Sequence, residues 1–277
     1  MSIKLEDFLI EVNKYVDDNI SGTTTANGNA AKTSLVDSAL SKYPDGYFGG
    51  PERDPEWWAY VGTTLRSVEN FVGSSGTVIV HNAFGAQVAI TTAYSLHKYD
   101  RDKKVEASND ALYDAYPWFY KRVEDEATLD GKGSSDNKYT IPVTFTEFPD
   151  HIYKKHTSGS IITYTEIIDY DRTELSGTRY FYANITTGDD ISLVGRTYLS
   201  SFTTDTSTTE LTDGQARIVA LKAAANLYRR MANTINATDA GRFEALANRF
   251  EALWDRDKVI HMMPVEIRRE LDFSWLD

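Results

Sequence analysis

Near the N-terminus, apolar residues recur at helical spacing. Leu5, Phe8, Leu9, Val12, Val16 and Ile20 follow Ser2, with Glu6 and Asp7 in the first turn, where the helix dipole favours acids. The pattern predicts one amphipathic helix over residues 3–20. The next stretch, SGTTTANGNAA at 21–31, has small polar residues and no apolar period, and reads as a flexible connector that closes an N-terminal segment at residue 32. From 33 to 98 the pattern changes to short β-branched and aromatic runs at 57–61, 67–72, 77–80 and 90–96. The separators are turn chemistry, Pro44-Asp45-Gly46, Gly49-Gly50-Pro51 and Gly73-Ser74-Ser75-Gly76, so a small antiparallel barrel or sandwich is expected there.

A second helix is expected over 99–126, with Val105, Leu112, Tyr116, Phe119 and Val123 on one face and a kink at Pro117. Strand-like runs then return at 139–142, 161–164, 166–170, 179–183 and 193–199, a second β module within 127–203. The Thr/Ser/Asp tract at 203–209 reads as a linker, and Thr212 or Asp213 caps a helix bearing Ile218, Leu221, Ala225, Tyr228 and Ile235. Phe243, Leu246, Ala247, Phe250, Leu253 and Trp254 form a second stripe after a short connection, and the alanines at 223–225 let the two helices approach closely. The fold class expected is therefore α+β: a C-terminal antiparallel helical hairpin at 204–258 plus further helices, with two small antiparallel β modules inserted. The tail at 259–277 keeps many large apolar groups without a repeat. Leaving each exposed costs roughly 1.5–3 kcal/mol, so they must dock, on the chain's own core or on a neighbouring subunit. Candidate interface residues are Ile260, Met262, Met263, Ile267, Leu271, Phe273, Trp275 and Leu276.

Charge and chemistry narrow the function classes. A net charge of -12 argues against a phosphate-gripping surface, because DNA affinity comes from Lys and Arg displacing counterions. No run is apolar enough to span a membrane, and the first residues carry acids where an export signal carries bases. With no cysteine there is neither disulfide nor thiolate metal site. His151 and His156 are five apart, wrong for two metal ligands on one helical turn, and in a strand that odd spacing puts them on opposite faces. The acidic runs at 17–18, 124–126 and 189–190 read as solvated turns and helix ends. No phosphate loop, nucleophile elbow or EF-hand occurs, so neither cofactor, metal nor catalysis is expected. The 17 tyrosines invite an alternative, a glycan-binding module using Trp57, Trp58, Tyr60, Tyr180 and Tyr182.

Several stretches carry a family resemblance. Residues 33–40 with Tyr47-Phe48-Gly49-Gly50 and 57–61, then 109–117 with Tyr139-Thr140-Ile141-Pro142, and the helical stretch 218–231 around Ala223-Ala224-Ala225 together resemble head-to-tail connector, or neck adaptor, proteins of tailed phages. The likeness covers about residues 33–255 and rests on pattern rather than on an invariant signature; the aromatic tail has no counterpart. It implies a structural virion protein, made in the host cytoplasm and placed in the particle's neck as a ring of about twelve copies. Its partners would be other copies of itself, portal protein and tail or nozzle proteins, with double-stranded DNA passing through without specific binding and no membrane contact.

Overall fold

The computed structural model describes residues 2–16, 18, 20–49, 57–133, 137–158, 160–233 and 237–263. A two-residue strand, β1 (Ile3–Lys4), leads into α1 (Leu5–Val16), which buries Leu5, Phe8, Leu9, Val12 and Val16 along one face. The helix stops short of residue 20, because Asp18 turns away to meet backbone amides at 98 and 99. The expected connector at 21–31 is instead structured. Its start belongs to β2 (Ile20–Thr23), and Gly28 N–H donates to Val88 O at 2.8 Å while Thr24 Oγ1 donates to Ala89 O at 2.6 Å. Polar residues that read as solvated here satisfy tertiary hydrogen bonds.

β2 joins β3 (Ser34–Val36), β4 (Trp58–Val61), β5 (Thr64–Val72), β6 (Thr77–Val80) and β7 (Ala93–His97) in one antiparallel sheet, ordered β2-β7-β4-β5-β6-β3. The sheet curls into a half-barrel around its own core of Leu35, Phe48, Phe71, Val78, Val80 and Leu96.

The next helix, α2 (Arg101–Asp114), is capped by Asp100, whose side chain accepts from Asp102 N at 2.8 Å. It does not reach residue 126: Pro117 has no N–H to continue the ladder, and the chain re-enters as a strand, β8 (Lys121–Asp130). Phe119 remains in the helical core, whereas Val123 packs on a different one, so the apolar spacing read as one face serves two cores. The remaining strands are β9 (Lys138–Thr140), β10 (His151–Ser158), β11 (Ile161–Glu166), β12 (Asp171–Leu175), β13 (Thr178–Tyr182) and β14 (Asp190–Thr197). They form two antiparallel sheets, β11-β10-β14-β8 and β12-β13-β9, around one core of Tyr139, Phe145, Ile152, Phe181, Ile191 and Leu193. The strand expected at 166–170 is the crossing from one sheet to the other, with Ile167 and Tyr170 resting on that core. β8, β10 and β12 escaped the pattern because their sequences are rich in charge.

The 203–209 tract is also not a free linker. Its end forms β15 (Thr208–Thr209), which pairs with β1 so that Ile3 faces Thr209. Then α3 (Asp213–Ala232) begins at Thr212 with a capping box: Gln215 Oε1 accepts from Thr212 N at 2.9 Å, and Gln215 N–H donates to Thr212 Oγ1 at 3.4 Å. α3 packs against α1, α2 and the last helix, α4 (Ala237–Ile260). Its Tyr228 stacks on Phe243 and Phe250 of α4.

The expected fold class is overturned. Among the described residues, four helices and fifteen strands in four sheets make a mixed fold in which strands dominate, and a helical hairpin is not its basis. The reason is physical. α3 is buried from several sides, and the core it centres draws on α1, α2 and α4 and on Leu199, Phe202 and Leu211, while each β region closes a separate core.

Two glycines test the half-barrel. Gly62, in the β4–β5 turn, has φ +60° and open space around a would-be Cβ, so Gly62→Ala should cost about 1–2 kcal/mol, the left-handed penalty alone. Gly76 has φ +62°, and a Cβ there would lie 2.0 Å from Asp37 O; Gly76→Ala should lower the urea midpoint clearly more than Gly62→Ala does.

Candidate functional site

A closed polar cluster sits where the helices meet the half-barrel. Asn13 comes from α1, Asp18 from the connection to β2, His97 from the end of β7 and Lys104 from the first turn of α2. Lys104 Nζ donates to Asn13 Oδ1 at 3.1 Å, to Asp18 Oδ2 at 3.1 Å and to His97 Nδ1 at 2.8 Å. An ammonium only donates, so Nδ1 is the acceptor and the His97 proton lies on Nε2, which donates to Ser95 Oγ at 2.8 Å. Asp18 also receives the amides of Lys98 and Tyr99, the latter at 3.1 Å. Both charged side chains of the Lys104–Asp18 pair are fully buried.

Burial raises Asp18 above the usual carboxylate range, with Lys104 and the two amides pulling it back. The same burial lowers Lys104, opposed by Asp18. His97 is pushed down to about 3 by burial and then by the Lys104 charge, so it is neutral near pH 7. With no path to solvent for Lys104 Nζ, this is a structural junction rather than a reactive lysine.

A second junction adjoins it. Arg101 donates to Glu6 Oε1 and, at 2.9 Å, to Asp205 Oδ1, and its guanidinium lies 4.6 Å from the centre of the Tyr60 ring. Tyr60 Oη donates to Asp205 Oδ2 at 2.7 Å. Burial and the Asp205 bond push Tyr60 up to about 12, while Tyr60 and Arg101 hold Asp205 below its usual range. α1, α2, β4 and the 203–207 turn are thereby tied at one point.

Exposed apolar groups stand singly at Ile10, Ile90, Tyr113, Val143, Ile168 and Leu175, and three fall close together in each of two places. On β11, Ile161, Ile162 and Tyr164 are exposed at the sheet's edge, Ile161 to 66%. At the end of α4, Val259, Ile260 and Met262 are exposed, Ile260 to 68%. Of the residues proposed from sequence as interface, Ile260 and Met262 thus lie open, whereas Met263 is half-buried on the helical core. The Met263 amide donates to Trp118 O at 2.9 Å, and its Sδ accepts from Tyr120 N–H at 3.4 Å. Ile267, Leu271, Phe273, Trp275 and Leu276 lie outside the described residues.

Other candidates disperse. His151 Nδ1 pairs with Glu166 at 3.0 Å and His156 Nδ1 with Asp189 at 2.6 Å, so each histidine has its own carboxylate. Asp189 and Asp18 are buried, not solvated, and Lys154 and then His156 hold Asp189 below the usual range. Among the aromatics, Trp57 packs against Phe48 and Tyr47, Tyr60 lies beneath Arg101, and Tyr180 is covered by Lys138 Nζ at 3.9 Å. Among the described residues no group of three His, Cys, Asp or Glu could hold a metal ion, and no helix is long and apolar enough to cross a membrane. A cleft of about 550 Å³ opens between the 146–150 loop and β12–β14. Three arginines there, 172, 179 and 196, face Glu147, Asp150 and Glu174, and its lining includes no histidine. Arg196 forks onto Asp150 at 2.9 and 3.0 Å, and Arg179 donates to Phe145 O at 2.6 Å, so these groups brace one another.

No known protein family matches the chain, and neither does any curated protein.

Sequence reasoning did not find the junction. The signal was present in α2, where Lys104, Ala107, Ser108, Ala111 and Leu112 form a stripe at helical spacing, all buried. A lysine on a stripe of small residues needs a buried partner.

Lys104→Ala should therefore cost about 3–5 kcal/mol in chemical denaturation, since it strands Asp18 without its cation. His97 gives a pH signature. Its folded value lies below the unfolded one near 6.5, so the unfolded chain binds more protons between the two. Stability should fall on acidification from about pH 6.5 towards 3, by up to roughly 1.4 kcal/mol per pH unit from this group. Denaturation midpoints of wild type and His97→Gln, compared at pH 7 and 4.5, should show a smaller acid loss in the variant.

Proposed function

We propose that the chain is a non-enzymatic structural protein of a tailed-phage particle, the subunit of a ring of about twelve copies that joins portal protein to the tail or nozzle proteins in the neck. The observation that carries this reading is the exposed apolar surface on β11 and at the end of α4, the two places where three such groups fall close together along the chain. Such surface marks a contact with another protein. The acidic balance supports a channel role: at -12 per copy, like charge keeps passing DNA from sticking, within a screening length of about 10 Å at 0.1 M salt. The resemblance to neck adaptor proteins points the same way.

Sedimentation of the purified chain, alone and with portal protein, tests this. A ring-sized species is expected, and Ile260→Asp combined with Met262→Asp should weaken association about tenfold or more with the unfolding midpoint unchanged. A chain that stays monomeric and ignores portal at particle-like concentration overturns the reading.

A further inference from the structure

We infer that β11 is the strand through which one copy joins the next, its outer edge pairing antiparallel with the outer edge of β8 in a second copy. The inference deepens the ring reading and rests on it.

Strand direction makes the join geometrically simple. In the sheet β11-β10-β14-β8 every neighbour is antiparallel, so with four strands the two edges run in opposite directions. A copy related to the first by rotation about a ring axis therefore brings its β8 antiparallel to β11. The alternation continues unbroken from subunit to subunit, as a head-to-tail contact requires.

The edges also differ in how they are guarded. Unpaired edge strands invite further pairing, and proteins blunt them with charge, proline or bulges. β12 reads Asp-Arg-Thr-Glu-Leu. β8 holds four acids and a register shift near Asp125, whose carboxylate takes the Ala127 and Thr128 amides at 3.2 and 3.0 Å. β11 has none of these devices: residues 161–165 read Ile-Ile-Thr-Tyr-Thr, exposed throughout, and no strand lies beyond them among the described residues. Left bare, that edge would aggregate; covered by a copy, it is an interface. The matching segment of β8 is 121–125, where pairing to β14 is regular over five residues, the same length as the uncharged run on β11.

Charge and symmetry narrow the partner. Lys154 and Lys155 are paired within the copy, with Asp189 at 2.8 Å and Glu126 at 3.3 Å, so β11 presents an uncharged edge at 161–165. Two β8 edges would bring Glu124, Asp125 and Glu126 of both copies together, which like charge opposes. Two β11 edges would close a two-fold pair rather than a ring, so the head-to-tail contact that a ring needs leaves β8 as the partner of β11.

The absence of cysteine allows a direct test. Thr163→Cys and Glu124→Cys are introduced singly and together, and each protein, with portal present, is treated with a short bis-maleimide. The double variant should give a ladder of dimer, trimer and larger species, and each single variant should stay monomeric. A dimer from Thr163→Cys alone would mean two-fold β11 pairing and would overturn the inference, as would a double variant without a ladder. Ile162→Lys serves as the second arm: it should cut the ring-sized fraction about tenfold while leaving the unfolding midpoint in place. Wild-type rings undiminished by Ile162→Lys would sink β11 pairing and spare the ring; a wild-type chain that stays single on portal removes both.

Discussion

The fully buried ion pair of Lys104 and Asp18, with Asn13 and His97 around it, is the constraint on which the rest of the arrangement depends. The chain leaves the helical core between α1 and β2 and returns to it between β7 and α2. Asp18 lies on the first passage, and His97 to Lys104 span the second, so one cluster holds both crossings together. Ion pairs this deep contribute little net stability over apolar replacements, because desolvation offsets attraction. What they impose is geometry: the placement of α1, α2 and the half-barrel gives Lys104 three acceptors and Asp18 its cation and two amides. The Arg101–Asp205–Tyr60 contact repeats the logic a turn away, fastening the segment before α3.

Three separate hydrophobic cores follow from this plan. Because each β region seals its own interior, the helical core need not cover them, and residues 156–158 of β10 and 161–165 of β11 can extend into solvent. The two clusters of exposed apolar groups lie at the periphery, on an edge strand and a helix end. The cleft beside β14 is polar and internally braced.

Legibility of the sequence tracked how far each segment's burial was one-sided. α1 was readable because a single helical face meets a single core, and the start of α3 because Thr212 is a local cap. Residues 116–126 were misread because Phe119 and Val123 fit helical spacing yet serve different cores, and Pro117 ended the helix rather than bending it. Polar segments were misread in the other direction: the 21–31 stretch and the 203–209 tract looked solvated, yet both add strands and tertiary hydrogen bonds.

By itself, the sequence determined where helices begin, which strands carry β-branched and aromatic runs, that the chain is acidic and that thiol chemistry is absent, since these depend on local spacing and composition. Only the tertiary structure decided that strands outweigh the helical hairpin, that Lys104 and Asp18 are partners 86 residues apart, and that β11 is an edge. Those outcomes depend on long-range pairing, in which charged strands are held by neighbours and a buried lysine by a distant carboxylate, and no local period records either.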